Sequence, residues 1–228
     1  VYDNGDPYKD LVSVFAGHPT EVHPHTLEAM EKQLVVDLEG QSDILIAGIP
    51  GAECYSKFST MNPILIANSA MANTVMQFQG MPVVREGGIA ILTHPFEPVF
   101  DQRRFTPYIE FYNRLLREEI DPYWLWENYV EEFAHREDYI HGYRYGYAYH
   151  GSHPFFMWNS TGTPRRYLSR IFFAGARDFD AVRRCGFEPF ATVEEALKVA
   201  ESDLGNNASI TLLNRPPQFI PRVSQPQA

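Results

Sequence analysis

The side chains of this sequence best suited to acid–base or anion chemistry fall in three places. His94 directly follows the apolar run Ile89–Thr93, and His150 and His153 bracket Gly151-Ser152. A His-Pro-Phe triplet occurs twice, at 94–96 and 153–155. The third place is the polar run before Asn62-Pro63, which carries Tyr55, Lys57 and Ser59. An imidazole at the carboxyl end of a strand is positioned for general-base work. A polar loop leading into a helix start is positioned to hold an anion. The candidate catalytic residues are therefore His94 and His150. Tyr55, Lys57, Ser59, Asn62 and Tyr149 are the candidate substrate-binding residues. The plainer alternative is an ordinary loop with Asn62 as a helix cap and histidines that close backbone turns.

These residues need elements to position them. Ile44–Ala47 is an apolar run that predicts a buried strand. Asn62 is a preferred N-cap, and Pro63 suits the first helical position, so the spacing predicts a helix through Gln77. That helix is apolar or small on nearly all sides, the pattern of an element buried all round. Free N–H groups at Met61–Leu65 should face the crevice past the strand end, the usual ligand site of an open α/β sheet. Gly87-Gly88 predicts a turn feeding a second strand, Ile89–Thr93. Further strands are expected over Leu11–Ala16, Arg170–Ala176 and Ala208–Leu213. Helices are expected over His25–Leu38, Tyr108–Ile120, Tyr123–His135, Phe179–Cys185 and Val193–Leu204. Thr192 and Glu195 form the capping box of the last of these. Tyr143–Tyr149 alternates aromatic with other residues and predicts an extended segment. After Asn214 the Pro-rich tail reads as an extended arm.

The fold class that follows is α/β, with a mainly parallel, Rossmann-like sheet of four or five strands and helices on both faces. An aromatic-rich helical insertion falls at about 104–160. With 228 residues and 44% hydrophobic content, the chain reads as one α/β domain over 1–228. Aromatic residues, at 14%, are abundant, chiefly 13 Tyr and 16 Phe. The net charge of −10 and pI near 5.2 argue against nucleic acid and against an anionic membrane surface as partners. No apolar run approaches the roughly 18–20 residues of a membrane span. Cys54 and Cys185 read as unpaired thiols of a reducing compartment, and the expected location is the cytoplasm. The sequons at Asn159 and Asn207 carry little weight without a secretion signal. His18, His23 and His25 crowd one segment, but no Cys or clustered carboxylate completes a zinc set. His150 and His153 also lack a third metal ligand.

The run Phe172–Ala200, followed by Ala208-Ser-Ile-Thr-Leu-Leu, resembles the closing segment of the lactate racemase family, the racemases and epimerases that depend on a nickel-pincer nucleotide. Ala16-Gly-His-Pro-Thr-Glu-Val-His resembles that family's inter-domain crossover. Ser42-Asp-Ile-Leu-Ile and Gly87-Gly-Ile-Ala-Ile-Leu resemble the strands flanking the site helix of its carboxyl-terminal domain. The resemblance covers nearly the whole chain, as that domain only. It implies a substrate-closing domain for a 2-hydroxy acid or sugar acid. The nickel-pincer nucleotide would sit in an amino-terminal domain, or on a partner chain, where hydride leaves the substrate's α-carbon and returns to its opposite face. No segment here resembles the cofactor-anchoring lysine, so the resemblance implies no cofactor on this chain and no activity from it alone. The lactate enzymes have a Gln and a Lys at the helix start where Ser59 and Asn62 stand here, with Lys57 as the nearest lysine. On this reading Ser59, Asn62 and the helix start hold the substrate, Lys57 offers charge, and His94, His150 and Tyr149 line the pocket mouth. Two other readings remain: a non-catalytic α/β binding module, and a nucleotide-binding protein using the Gly175-Ala-Arg-Asp turn. That turn lacks the second and third glycines of the phosphate fingerprint.

Overall fold

A computed structural model describes residues 12–53, 56–214 and 219–225, with only the backbone described for 52, 53 and 56–60. In chain order, α1 is Pro19–Leu34, β1 Val35–Glu39, β2 Ser42–Gly48, β3 Ala52–Glu53, β4 Ser56–Thr60, α2 Pro63–Ala70, β5 Gln79–Gly80 and β6 Val84–Thr93. The insertion follows, with α3 Thr106–Asn113, α4 Pro122–Ala134, α5 Glu137–Tyr145, α6 His153–Asn159 and α7 Gly162–Tyr167. The chain then forms β7 Arg170–Ala174, α8 Phe179–Arg184, β8 Glu188–Phe190, α9 Val193–Leu204, β9 Ile210–Leu213 and β10 Ile220–Ser224.

Five strands pair in the order β8-β7-β6-β2-β9, all parallel. The central strands β2, β6 and β7 are buried on both faces, which is why they read as continuous apolar runs. On one face Leu45, Ala47, Ala90, Leu92 and Phe173 join the main core with α2 and the insertion helices. On the other, Ile44, Ile89, Ile91 and Phe172 pack under Ala196 and Ala200 of α9. The small alanines let α9 lie flat on the sheet. Because the strands are parallel, the ends of β2, β6 and β7 share one edge. The chain winds from β2 through β6 and β7 to β8, and α9 then carries it back to β9 on the far side of β2. The order therefore reverses beside β2, where an open α/β sheet forms its crevice.

Seven of the eight α2 residues are buried, as an apolar-all-round pattern requires. Asn68, its polar exception, donates to Ser160 Oγ at 2.8 Å and so joins α2 to α6. The helix does not run evenly to Gln77, because it widens into a π-helical turn over Met71–Val75. Gly87-Gly88 is not a turn before the strand but a bulge inside it. The pairing with β2 jumps from Ser42↔Val84 to Ile44↔Ile89. A side chain at 88 would meet Asp43 O at 2.6 Å, so only glycine admits this approach.

Four other expectations change. Among residues 12–16 no strand forms, and Leu11 lies outside the described residues. The first helix starts at Pro19, capped by His18, and ends before Val35-Val36, whose β-branched pair enters β1. The tail is not wholly an arm, since β10 lies between β1 and β5 in a parallel three-stranded sheet. Both corrections share one cause, the pairing of Val35 with Ile220, far along the chain. Residues 143–145 continue α5 instead of extending. His141 and Tyr145, one helical turn apart, bring their ring centroids to 5.1 Å.

Aromatic packing holds the insertion helices to one another. Phe155 meets Phe111 edge-on at 4.8 Å and Phe133 at 5.1 Å, and Trp158 donates to Ile120 O at 2.9 Å. Arg165 lies between Trp158 and Phe187 and donates to Cys185 O at 2.6 Å. Burial lowers its pKa to about 10, so it stays charged at neutral pH. Cys185 is buried, and its thiol is pushed up to about 12, so it is a packing residue without thiolate character. Cys54 lies outside the described residues.

Candidate functional site

Past the carboxyl end of β2 the chain runs through β3 and β4 into the start of α2, and Ile49 N donates to Thr93 O at 3.0 Å, which keeps the ends of β2 and β6 side by side. The segment expected as a polar loop is the antiparallel β3–β4 hairpin, with Ala52 opposite Thr60. Tyr55 lies outside the described residues. Lys57 and Ser59 fall on β4, but their side chains are outside what is described.

Asn62 is fully buried and caps α2. Its Oδ1 accepts from Ile64 N at 3.1 Å and Leu65 N at 3.2 Å, while its backbone carbonyl accepts from Ile66 N at 2.8 Å. Pro63 has no N–H to offer. The first-turn donors are therefore already taken, which corrects the expectation of free N–H groups facing the crevice. What remains is the other half of the same amide. Asn62 Nδ2 is buried with no hydrogen-bond partner. Its assignment as nitrogen is firm, because only oxygen can accept the two cap bonds. A buried donor without an acceptor is a costly group that a ligand or a trapped water would satisfy.

His94 stands at the carboxyl end of β6, half-buried. Its Nδ1 accepts from Phe96 N at 2.9 Å, which leaves the ring proton on Nε2. This bond supports a strained turn, since Phe96 is held at φ 43 with its ring against Phe173 and Phe187. Burial lowers the His94 pKa to about 4, and Glu97 opposes the shift only weakly. At neutral pH His94 is thus an uncharged Nε2–H donor and a feeble base, which weakens its expected role as a general base. Beyond it, Arg177 N donates to Pro95 O at 2.6 Å and joins the ends of β7 and β6. Asp178 caps α8 through Ala181 N, so the Gly175 turn presents a carboxylate committed to a six-residue helix and not a phosphate cradle.

The structure collects the other candidates elsewhere. Tyr149 and His150 line a cleft of about 470 Å³ together with Arg104, Tyr143, Tyr147 and Phe156. Tyr149 N donates to Arg104 O at 2.9 Å, tying the loop after α5 to the segment that leaves β6. Arg104 Nη2 donates to Tyr149 Oη at 3.3 Å, with its guanidinium over that ring. His150 Nδ1 accepts from Ser152 N at 3.3 Å. His153 is hydrogen-bonded to Tyr108 Oη through Nδ1, and burial, followed by the nearby His150, lowers its pKa. Among the described residues no hydrogen bond or ring contact joins His94 to Tyr149 or His150. Arg104 and Tyr147 were not singled out from the sequence. Arg104 meets Tyr149 across 45 residues, beyond any local pattern, whereas Gly146 before Tyr147 was a readable sign of a helix end.

Among the described residues, no three His, Cys, Asp or Glu side chains come together in a way that would hold a metal ion. No described helix is long and apolar enough to cross a membrane.

No family model matches the chain, and no curated protein sequence matches it significantly. Among solved structures, the lactate racemase apoprotein from Thermoanaerobacterium thermosaccharolyticum is similar. The match covers 92% of this chain and 42% of that one, at 18% identity and a TM-score of 0.53. The likeness is one of fold. This chain spans less than half the length of the racemase chain it matches.

Proposed function

We propose that this chain is the substrate-closing, carboxyl-terminal domain of an isomerase that racemises or epimerises a 2-hydroxy acid or sugar acid. The observation that carries the reading is the fold match, which spans nearly all of this chain and under half of the racemase chain. On this reading residues 1–228 form one α/β domain. The nickel-pincer nucleotide and its ligands belong to an amino-terminal domain or partner chain.

Within this chain the work is binding and orientation. Asn62 Nδ2 donates to the substrate carboxylate or hydroxyl, relieving its own missing bond. Because Asn62 has no exposed surface, the substrate reaches it only as the cover over the crevice shifts. His94, at the carboxyl end of β6, is proposed to offer its Nε2–H as a neutral donor. Lys57 and Ser59, on the hairpin that precedes Asn62, are proposed to contribute charge and a hydroxyl. Where the lactate enzymes use Gln and Lys, Ser59 and Asn62 suit a substrate richer in hydroxyls than lactate.

Kinetics of Asn62→Ser in the complete, nickel-supplied enzyme test this assignment. Serine keeps the cap but removes the amide. Losing a hydrogen bond to a charged group, worth about 1.5–3 kcal/mol, should lower kcat/KM by about 10- to 100-fold with the fold intact. Wild-type kinetics in this variant would remove Asn62 from the site.

A further inference from the structure

A strand at the margin of a sheet leaves backbone groups unpaired on its outer side, and proteins guard such margins with charge, proline or brevity. Among the described residues the five- and three-stranded sheets have four margins, and three of them are guarded. β8 carries Pro189 at its centre and an ion pair between Glu188 and Arg170. β1 carries Asp37 and Glu39, and β5 is only two residues long. β9 has none of these devices. It reads Ile-Thr-Leu-Leu, and residues 205–214 around it hold no Asp, Glu, Lys or Arg, in a chain of net charge −10. Among the described residues it pairs on one side only, with β2.

The face of β9 is bare as well. In the parallel register Ile210 lies beside Ile44 and Leu212 beside Ile46, so both side chains point to the face on which α9 packs. That helix lies mainly over β6, β7 and β8, and its cover stops short of β9. Ile210 and Leu212 are accordingly 43% and 61% exposed. The backbone direction is equally defined. Ser209 O accepts from Ile44 N at 3.0 Å, and the two-residue repeat of a strand turns the N–H and C=O of Thr211 toward β2 as well. The N–H and C=O of Ile210 and Leu212 therefore point outward, past the edge of the sheet. The same two residues thus offer open hydrogen-bonding groups and open apolar side chains.

We propose that β9 pairs antiparallel with β9 of a second copy of this chain, joining two five-stranded sheets into one. Two chains of the same strong negative charge meet most easily where neither carries a charged side chain, and this uncharged edge is such a place. The edge is also complementary to itself. With Thr211 opposite Thr211 of the second copy on the two-fold axis, each Ile210 stands opposite Leu212 of the other copy. The outward backbone groups of both residues then exchange bonds, and their side chains pack together on one face. A slip of two residues would set Ile210 against Asn214, or Leu212 against Ala208, and lose an apolar pair. The inference concerns assembly and does not use the isomerase reading.

Sedimentation velocity of the intact chain over a concentration series, combined with disulfide trapping, tests it. A monomer–dimer equilibrium is expected. Leu212→Lys should weaken the dimer by about tenfold or more, because each copy then brings a like charge into the contact. Its melting temperature should match that of the wild type, since position 212 is exposed. Oxidised Thr211→Cys should form a covalent dimer beyond that of wild type oxidised in parallel. A non-hydrogen-bonded antiparallel pair holds its Cα atoms about 4.5 Å apart, within disulfide reach. Ile210→Cys, which faces Leu212 of the second copy, should not crosslink to itself. A chain that stays monomeric at every concentration overturns the proposal, whether the edge is bare or taken by a different polypeptide. So does a dimer that Leu212→Lys leaves intact, or one that Ile210→Cys traps as readily as Thr211→Cys. The readout is mass and not turnover, so failure of the isomerase reading would leave this result standing.

Discussion

The crevice beside β2 and the cleft in the insertion use similar residue types in opposite ways. In the crevice, Asn62 Oδ1 and His94 Nδ1 both serve the backbone, capping α2 and supporting the Phe96 turn. One orphan amide donor and one neutral imidazole N–H are left over. In the cleft, the backbone is held mainly by other backbone groups, and Tyr143, Tyr147 and Phe156 remain exposed. A closed site whose polar groups support structure binds only after something moves.

Several variants sharpen or break this contrast. The largest effect is expected from Gly151→Ala, which drives a methyl group into the Phe133 carbonyl. A loss on the order of 3 kcal/mol or more in chemical denaturation is predicted. A near-neutral result would show that the loop is not fixed to α4.

The crevice has a pH signature. The folded-state pKa of His94 lies near 4, below its ordinary 6.5, so the unfolded chain binds this proton first as pH falls. Stability is complete above about pH 6.5 and is lost on descent toward pH 4, by roughly 2 kcal/mol between pH 7 and pH 5. His153, shifted the same way, adds to the slope, while Asp43, held near 2 chiefly by Ser209, acts only below the ordinary carboxylate range. His94→Asn keeps an acceptor for Phe96 N and should flatten this part of the stability profile. An unchanged slope would place His94 in water.

A smaller effect separates the two halves of one amide. Asn62→Ala removes cap and orphan donor together and should cost about 1–2 kcal/mol, whereas Asn62→Ser should stay within about 1 kcal/mol of wild type. Equal losses would mean that the cap is not what holds Asn62 in place. Smallest of all, Tyr147→Gly should gain about 0.5–1 kcal/mol by relieving the left-handed residue. A loss of stability would make Tyr147 a packing residue.

Much of the five-stranded sheet was legible because its signals are local. Ile44–Ala47, Ile89–Thr93 and Arg170–Ala174 are apolar runs of strand length, and Asn62, Asp121, Asp178 and Thr192 are caps with their helices following directly. The second sheet was not legible, because β1 and β5 are defined by β10 and no local pattern announces so distant a partner. Tyr143–Tyr149 misled because an alternating pattern also places rings one helical turn apart. At the candidate site, Asn62 and His94 were visible as positions but not as hydrogen-bonding states, which depend on burial and on backbone turns such as that at Phe96. Arg104 joined the cleft only through the fold.

The central claim is that this chain closes over a hydroxy acid whose stereocentre is inverted. Chiral chromatography of single isomers of 2-hydroxy acids and sugar acids, incubated with the complete nickel-supplied enzyme, tests it most directly. The account predicts that at least one pure isomer becomes a mixture of two. Every isomer recovered unchanged, from protein that is folded and cofactor-loaded, would contradict it.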